Sequence, residues 1–517
     1  MIHKLGGNKM KYLPLGNQDF KELIENNYIY VDKTKWIYDL LKVPKGIYFL
    51  SRPRRFGKTL TISTLHHLFK GNEELFKNTF IYDKWNFQER PVIRLNMNEV
   101  NSIKNTEVFE DELLRIIKNQ AEINNVTLSE SLYSAAFQEL IANLDNPAVL
   151  IDEYDKPILS NIHKPEYVDQ IREILKEFYG AIKTKESNLS FIFITGISKF
   201  SKMSIFSELN NLTDLTLRKD YADMLGLTDD EIDTYFREYI EKVKKEQNMT
   251  ESDFRNRLKD YYNGFSFDGE HFLYNPYSIL NFFATSEFRN YWFESGTPSH
   301  LIELIKSEML KSTDFVNKRV GIDFTSRKPI ESTSPESFLF QAGYLTIKES
   351  RERVYVLDYP NNEVRSSFNS LFLDSIYDIE NESAIIDDIW IGFENNDFAM
   401  VFEQFQQTFS QIPYPLYKNE QENIYHIVLL TLLWATGIKT TAEDINNLGR
   451  SDIVIEFDND VYILELKRDS ADKALQQIKD KEYYKKYTGK NRSISLVGIE
   501  IDDDKRNLKD YKLEQIS

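Results

Sequence analysis

The tightest constraint on this chain is the run Arg52-Pro53-Arg54-Arg55-Phe56-Gly57-Lys58-Thr59. An apolar stretch at 46–50 precedes it, and a helical pattern with Leu60, Leu65, Leu68 and Phe69 on recurring positions comes after it. Strand, tight loop and helix in that order set backbone N–H groups and the positive end of a helix around an anion. Gly57 lets the backbone approach a phosphate, Lys58 reaches its outer oxygens, and Thr59 is placed to hold Mg²⁺. The pattern GxxxxGK[ST] calls for glycine where Arg52 stands, so the motif alone leaves a second reading open, a basic turn ahead of a helix.

The next 150 residues favour a nucleotide fold. The runs 91–96, 148–153 and 189–196 are nearly continuous in apolar residues, and amphipathic stretches at 107–125, 130–143 and 166–184 separate them. Strands of that kind alternating with helices predict a buried parallel sheet, and hence an α/β nucleotide-binding domain over about residues 1–215. A lead-in at 11–45 includes 28–34, which reads as a strand-like run ending in a candidate helix cap. Asp152 and Glu153 end the second run. Beside a phosphate loop, the aspartate would bind Mg²⁺ and the glutamate would orient or deprotonate the attacking water. Thr195, ending the third run, would sense the γ-phosphate, and Arg218 is a candidate arginine finger.

Charge and cysteine content narrow the partners. With 64 Lys+Arg against 82 Asp+Glu the net charge is −18, so any polyanion must meet a local basic patch. Cysteine is absent, which excludes thiolate and disulfide chemistry and fits a reducing cytoplasm. The first residues lack the apolar core of a signal peptide, and the most apolar internal run, 427–435, is about half a membrane span. The expectation is a cytoplasmic protein without membrane attachment.

Beyond residue 216 the texture changes. Thr228 to Glu231 reads as a capping box, and aromatic turns come next at 262–265 and 274–277, suggesting a helical lid or adaptor to about 330. A helix and hairpin of winged type over 338–356, then helices through 362–410, make 331–412 a connector. Pro413-Tyr414-Pro415 marks the start of a last domain, 413–517.

That last domain carries a second chemistry. Residues 451–457 and 461–467 read as a hairpin joined by Asp458-Asn459-Asp460. With an Asn459-Asp460 turn, Asp452 sits opposite Lys467 and Glu465 is diagonal on the same face, whereas an odd-length loop would turn Glu465 away. Two carboxylates and a lysine can hold Mg²⁺ and hydrolyse a phosphodiester; a solvated hairpin face is the alternative. Glu422 could reach the same metal, and His426 fits the core better than a ligand role. From Lys467 to Arg492 there are nine Lys/Arg against four Asp/Glu, a local reversal of charge suited to a phosphate backbone or to a solvated helix.

The segments 52–59, 150–157 and 195–201, with 209–212, 262–264, 274–276 and 343–346, resemble the bacterial AAA-ATPase-like proteins. Gly449-Arg450-Ser451-Asp452, Glu465-Leu466-Lys467 and Gln477-Ile478 resemble the PD-(D/E)XK nuclease domain which that family carries at its C-terminal end. Arginine stands at the Arg52 position in this family. The resemblance implies a P-loop NTPase fold, a restriction-endonuclease-like α/β domain, and ATP with Mg²⁺ as cofactors. It implies ATP contacts from Arg52, Arg55, Phe56, Gly57, Lys58, Thr59, Leu60, Asp152 and Thr195, with Thr59 and Asp152 on Mg²⁺ and Glu153 catalytic. It likewise implies Asp452, Glu465 and Lys467 as the nuclease centre, supported by Glu422 and Gln477, acting on nucleic acid with DNA ahead of RNA. A non-catalytic ATP switch, a small-molecule kinase and assembly into a homo-oligomer stay open.

Overall fold

The computed structural model describes residues 10–100, 105–162, 164–199, 209, 211–293, 299–325, 333–418, 424–445, 450–489 and 492–516. The chain forms two compact units, Met1–Trp292 with Asn317–Asn361, and Phe293–Val316 with Asn362–Ser517.

The first unit is built on β1 (Ile47–Ser51), β2 (Val92–Asn96), β3 (Ala148–Asp152), β4 (Phe191–Gly196) and β5 (Thr213–Asp214), ordered β2-β3-β4-β1-β5. Every pairing is parallel. All residues of β1, β3 and β4 are buried, which is why these strands read as unbroken apolar runs instead of alternating ones. Helices Lys58–Phe69, Thr106–Ile123, Tyr133–Ala142 and Pro165–Thr184 supply the connections. Leu50, Ile62, Leu65, Phe69 and Phe193 share one core cluster, so the helix after the phosphate loop is fixed to the sheet by its apolar positions.

Residues 28–34 do not form the expected strand. Tyr28 makes one isolated bridge with Tyr12, and the Asp32 carboxylate then accepts the Thr34 N–H at 2.9 Å, turning the chain into helix Thr34–Leu41. Farther on, the Thr228–Glu231 capping box is present at the start of helix Asp229–Tyr235. The helices beyond it enclose an aromatic core with Phe236, Phe254, Tyr262, Phe282 and Phe283. Helix Pro335–Ala342 leads into the hairpin of β7 (Thr346–Arg351) and β8 (Val354–Asp358); β6 (Lys318–Gly321) completes an antiparallel sheet ordered β6-β8-β7.

The second unit holds β9 (Lys439–Ile445), β10 (Arg450–Phe457), β11 (Asp460–Lys467), β12 (Ser493–Asp502) and β13 (Asn507–Ile516), ordered β13-β12-β11-β10-β9. Only β11 and β12 pair in parallel among these strands. Helix Ala471–Asp480 makes their crossover, and it lies so close to the sheet that a Cβ on Gly498 would come 2.2 Å from the Ala471 carbonyl oxygen. On one face of β11, Val461 and Ile463 pack with Ile478 and Tyr483. On the other, Tyr462 meets Phe393 and Phe398. Among the described residues no helix is long and apolar enough to cross a membrane; the apolar run 427–435 belongs to the buried helix Ile424–Ala435.

Candidate functional site

In a doubly wound sheet, ligands meet the carboxyl ends of the strands. Here β4 stands between β1 and β3, with Leu50 level with Thr195 and Ile151 level with Ile194. The phosphate loop, Thr195 and Asp152 therefore end at the same edge. The Thr195 hydroxyl donates to Asp152 Oδ1 at 2.7 Å, both side chains being buried. Glu153 comes next with φ 52°, a left-handed conformation that costs a non-glycine residue on the order of 1 kcal/mol. That turn is held by the Tyr154 N–H on the Thr195 carbonyl at 3.0 Å. It is held again by Asp155, whose buried carboxylate accepts the Ser198 N–H at 2.7 Å and the Ser198 hydroxyl at 2.6 Å. Burial raises the Asp155 pKa above the usual carboxylate value.

Gly57 has φ 93°, and nothing lies within 4 Å of where a Cβ would stand, so the loop presents open backbone at the head of helix Lys58–Phe69. Lys58 is buried, and its ammonium donates to the carbonyls of Arg52 and Pro53 at 2.9 and 2.8 Å. Burial lowers its pKa, against the pull of Asp152, Glu153 and Asp155. An open glycine backbone, a buried lysine and nearby carboxylates fit a nucleotide phosphate with Mg²⁺; Thr59 and Leu60, both half-buried, occupy the first turn.

The arginines of the loop have separate surroundings. The Arg52 guanidinium is buried and donates to the carbonyls of Ser51 at 3.0 Å, Thr216 at 2.7 Å and Tyr221 at 3.3 Å, while lying 3.9 Å from the Phe267 ring. Burial lowers its pKa to about 9. These contacts commit Arg52 to holding the loop against distant chain. Arg55 takes φ 65° and stacks over Tyr277 at 3.5 Å, and Phe56 sets its edge against Phe265 and Phe267. The aromatic turns after residue 262 thus brace the loop as well as packing among themselves. Arg218 is exposed and paired with Asp220 at 2.9 Å. An apolar pocket touching Gly57, Leu60 and Thr61 is walled by Ile29, Val31, Leu225 and Leu227. Sequence reasoning missed that wall because Ile29 and Val31 were read as part of a strand-like run and Leu225 and Leu227 lie far from them in sequence, and it missed Asp155, whose signal was a third acid in 152–155.

In the second unit Phe457 pairs with Asp460 and Ile453 with Leu464. The two-residue turn is Asp458-Asn459, with Asp458 at φ 48°. One step further, Asp452 faces Glu465 directly and Lys467 is the diagonal neighbour, which corrects the expected pairing of Asp452 with Lys467. Moving a two-residue turn by one position shifts the register by two, so all three groups keep one face. Glu465 is buried; its Oε1 accepts from the Gln477 side-chain amide, and its Oε2 is buried without a partner. Burial, reinforced by the Asp452 charge, raises its pKa to about 8. Asp452 Oδ2 accepts the Leu466 N–H at 2.8 Å, and His426 Nε2 lies 2.9 Å from the Asp452 carbonyl, a supporting contact.

An unpartnered buried carboxylate oxygen opposite a second carboxylate fits a divalent cation. Among the described residues no group of three or more His, Asp or Glu side chains gathers at metal-binding spacing; Glu422 lies outside the described residues.

Comparison with known proteins assigns a family to each of the two regions. Residues 14–206 match the family described as predicted AAA-ATPase, and residues 420–511 match the PD-(D/E)XK nuclease superfamily. A protein of Azotobacter chroococcum mcd 1, named "Uncharacterized protein in vnfD 5'region", is 34% identical over 529 aligned positions, covering 98% of this chain and 99% of the relative. The chain belongs to the family of AAA-ATPase-like proteins that carry a PD-(D/E)XK nuclease superfamily domain in their C-terminal part.

Proposed function

We propose that the chain binds and hydrolyses ATP in its first unit and cuts a nucleic-acid phosphodiester in its second, the nucleotide state of the one governing the other. Lys58 binds the outer phosphates, and Thr195 orients Asp152. Glu153 positions or deprotonates the attacking water. Asp452, Glu465 and Lys467 serve the phosphodiester, Lys467 offsetting the charge that develops on the phosphate. Bound Mg²⁺ would neutralise phosphate charge at both places; Thr59 and Asp152 would hold it in the first unit, Asp452 and Glu465 in the second. The apolar pocket beside Gly57 suits the nucleobase. The absence of cysteine suits a cytoplasmic setting, and the pairing of an ATPase with a nuclease suits defence against foreign DNA or mobile-element biology.

The observation that carries the reading is the buried, unpartnered Oε2 of Glu465 beside the Asp452 charge, because leaving a buried carboxylate oxygen unpaired next to a second carboxylate is costly and a bound cation would offset both. The test incubates single- and double-stranded DNA and RNA with Mg²⁺, with and without ATP. Wild type is expected to cleave at least one substrate, and Asp452→Ala and Glu465→Ala to cleave none. Cleavage persisting at the wild-type rate in both variants removes the nuclease reading and leaves a non-catalytic switch. A Lys58→Ala protein with undiminished ATP affinity removes the phosphate-loop assignment.

A further inference from the structure

The second unit has a cavity of about 340 Å³ that the carboxylate cluster does not use. That volume falls within the roughly 300–1,000 Å³ of small-molecule sites. Its walls include Tyr414, Tyr417, Tyr425, Arg468, Asp503 and Arg506. Two of these adjoin the candidate nuclease centre in sequence: Arg468 comes directly after Lys467, and Tyr425 precedes His426, whose ring lies on the Asp452 carbonyl. The Arg506 guanidinium lies 4.2 Å from the Tyr414 ring centre, on a residue held at φ 55°. The Tyr417 hydroxyl, within 2.9 Å of the Arg506 carbonyl and 3.1 Å of the Phe409 carbonyl, ties that turn to the helical layer. Arg468 Nε meets Asp503 Oδ2 at 3.1 Å. The cavity thus offers an aromatic face, two guanidinium groups and one carboxylate that offsets part of their charge.

We propose that this cavity receives one unstacked nucleotide of a single-stranded nucleic acid, the base taking the place that the Arg506 guanidinium holds on the Tyr414 ring and a backbone phosphate drawing Arg506 toward Arg468. Aromatic stacking with a basic track is how proteins hold single strands without reading sequence. A base paired inside a duplex cannot enter a side cavity without leaving its stack. The proposal rests on the reading that the second unit acts on nucleic acid and adds strand preference to it.

The test uses the full chain in EDTA and follows the anisotropy of a fluorescein-labelled single-stranded DNA beside a blunt duplex of the same sequence. Wild type is expected to bind the single strand more tightly. Tyr414→Ala weakens single-strand binding about tenfold, and Tyr414→Phe retains it. Arg506→Ala also makes the fall of log K with log salt shallower by about 0.7. Asp503→Asn, which removes the offsetting carboxylate, strengthens binding. Tyr414 and Arg506 are exposed, so these variants keep the fold. The proposal is overturned if Tyr414→Ala and Arg506→Ala bind the single strand like wild type, if duplex binding falls equally, or if AMP displaces the strand with higher affinity than the strand's own, which would assign the cavity to free nucleotides. Wild type that cleaves with Mg²⁺ while both variants bind normally loses the cavity and keeps the nuclease. Loss of single-strand binding in the variants, with no cleavage by wild type, keeps the cavity and loses the nuclease.

Discussion

Replacing Glu465 by glutamine should stabilise the metal-free second unit at alkaline pH and leave it nearly unchanged in acid. The Glu465 carboxyl is buried between Asp452 on β10, Lys467 on its own strand and Gln477 on the helix that covers it, and its pKa rises from 4.5 to about 8. A carboxyl whose folded value exceeds its unfolded value binds an extra proton in the folded state between the two. Stability therefore falls as pH rises from about 4.5 to about 8. Each pH unit of that window is worth about 1.36 kcal/mol, which gives roughly 5 kcal/mol for a fully dry site. Solvent screening of a carboxyl that is not completely desolvated trims this to on the order of 3 kcal/mol. The side-chain amide that replaces the carboxyl can keep the Gln477 contact and donate toward Asp452, so the substitution introduces no orphan. Hydrogen–deuterium exchange on β11 and β12 peptides in EDTA, corrected for intrinsic rates, reads the opening free energy across this window. The reasoning fails if wild type and Glu465→Gln show the same pH slope, or if the variant is less stable at pH 8.

Packing and hydrogen bonding set three further outcomes. Gly498→Ala forces a Cβ to 2.2 Å from the Ala471 carbonyl oxygen and 2.4 Å from the Leu475 nitrogen, so it should cost about 2 kcal/mol by urea titration. Because Gly498 is level with Glu465, it should also drag Gln477 off the site and slow any cleavage. Arg52→Ala strands the buried carbonyls of Ser51 and Thr216 and should destabilise the first unit by about 3 kcal/mol, whereas Arg54→Ala, on an exposed residue, should change stability by under about 0.5 kcal/mol. Equal losses would remove the clip assigned to Arg52. Thr195→Val takes the hydroxyl from Asp152 and should slow ATP turnover about tenfold while leaving ATP affinity near wild type; an equal fall in affinity would place Thr195 in ground-state binding instead.

Much of the candidate site was legible because its proposed chemistry is local. Gly57-Lys58-Thr59 is contiguous, and Asp152 ends, and Thr195 lies one residue before the end of, a strand whose two-sided burial writes an unbroken apolar run. What escaped was long-range or degenerate. Arg52 finds its partners at Thr216, Tyr221 and Phe267, which no spacing announces. Residues 28–34 have strand-like composition, yet they lack a sheet edge to pair with beyond one bridge. The Asp458-Asn459-Asp460 triplet offers two equivalent two-residue turns. Because they differ in register by two, alternation of faces cannot choose between them. The arginine–tyrosine cavity assembles residues from 414 to 506, and only the folded chain brings them together.

The most direct test of the central claim measures how ATP changes the rate at which wild type and Lys58→Ala cleave one labelled single-stranded DNA in Mg²⁺. Nucleotide control predicts that ATP changes the wild-type rate severalfold and leaves the Lys58→Ala rate unmoved. Cleavage by wild type at one rate with and without ATP would contradict it.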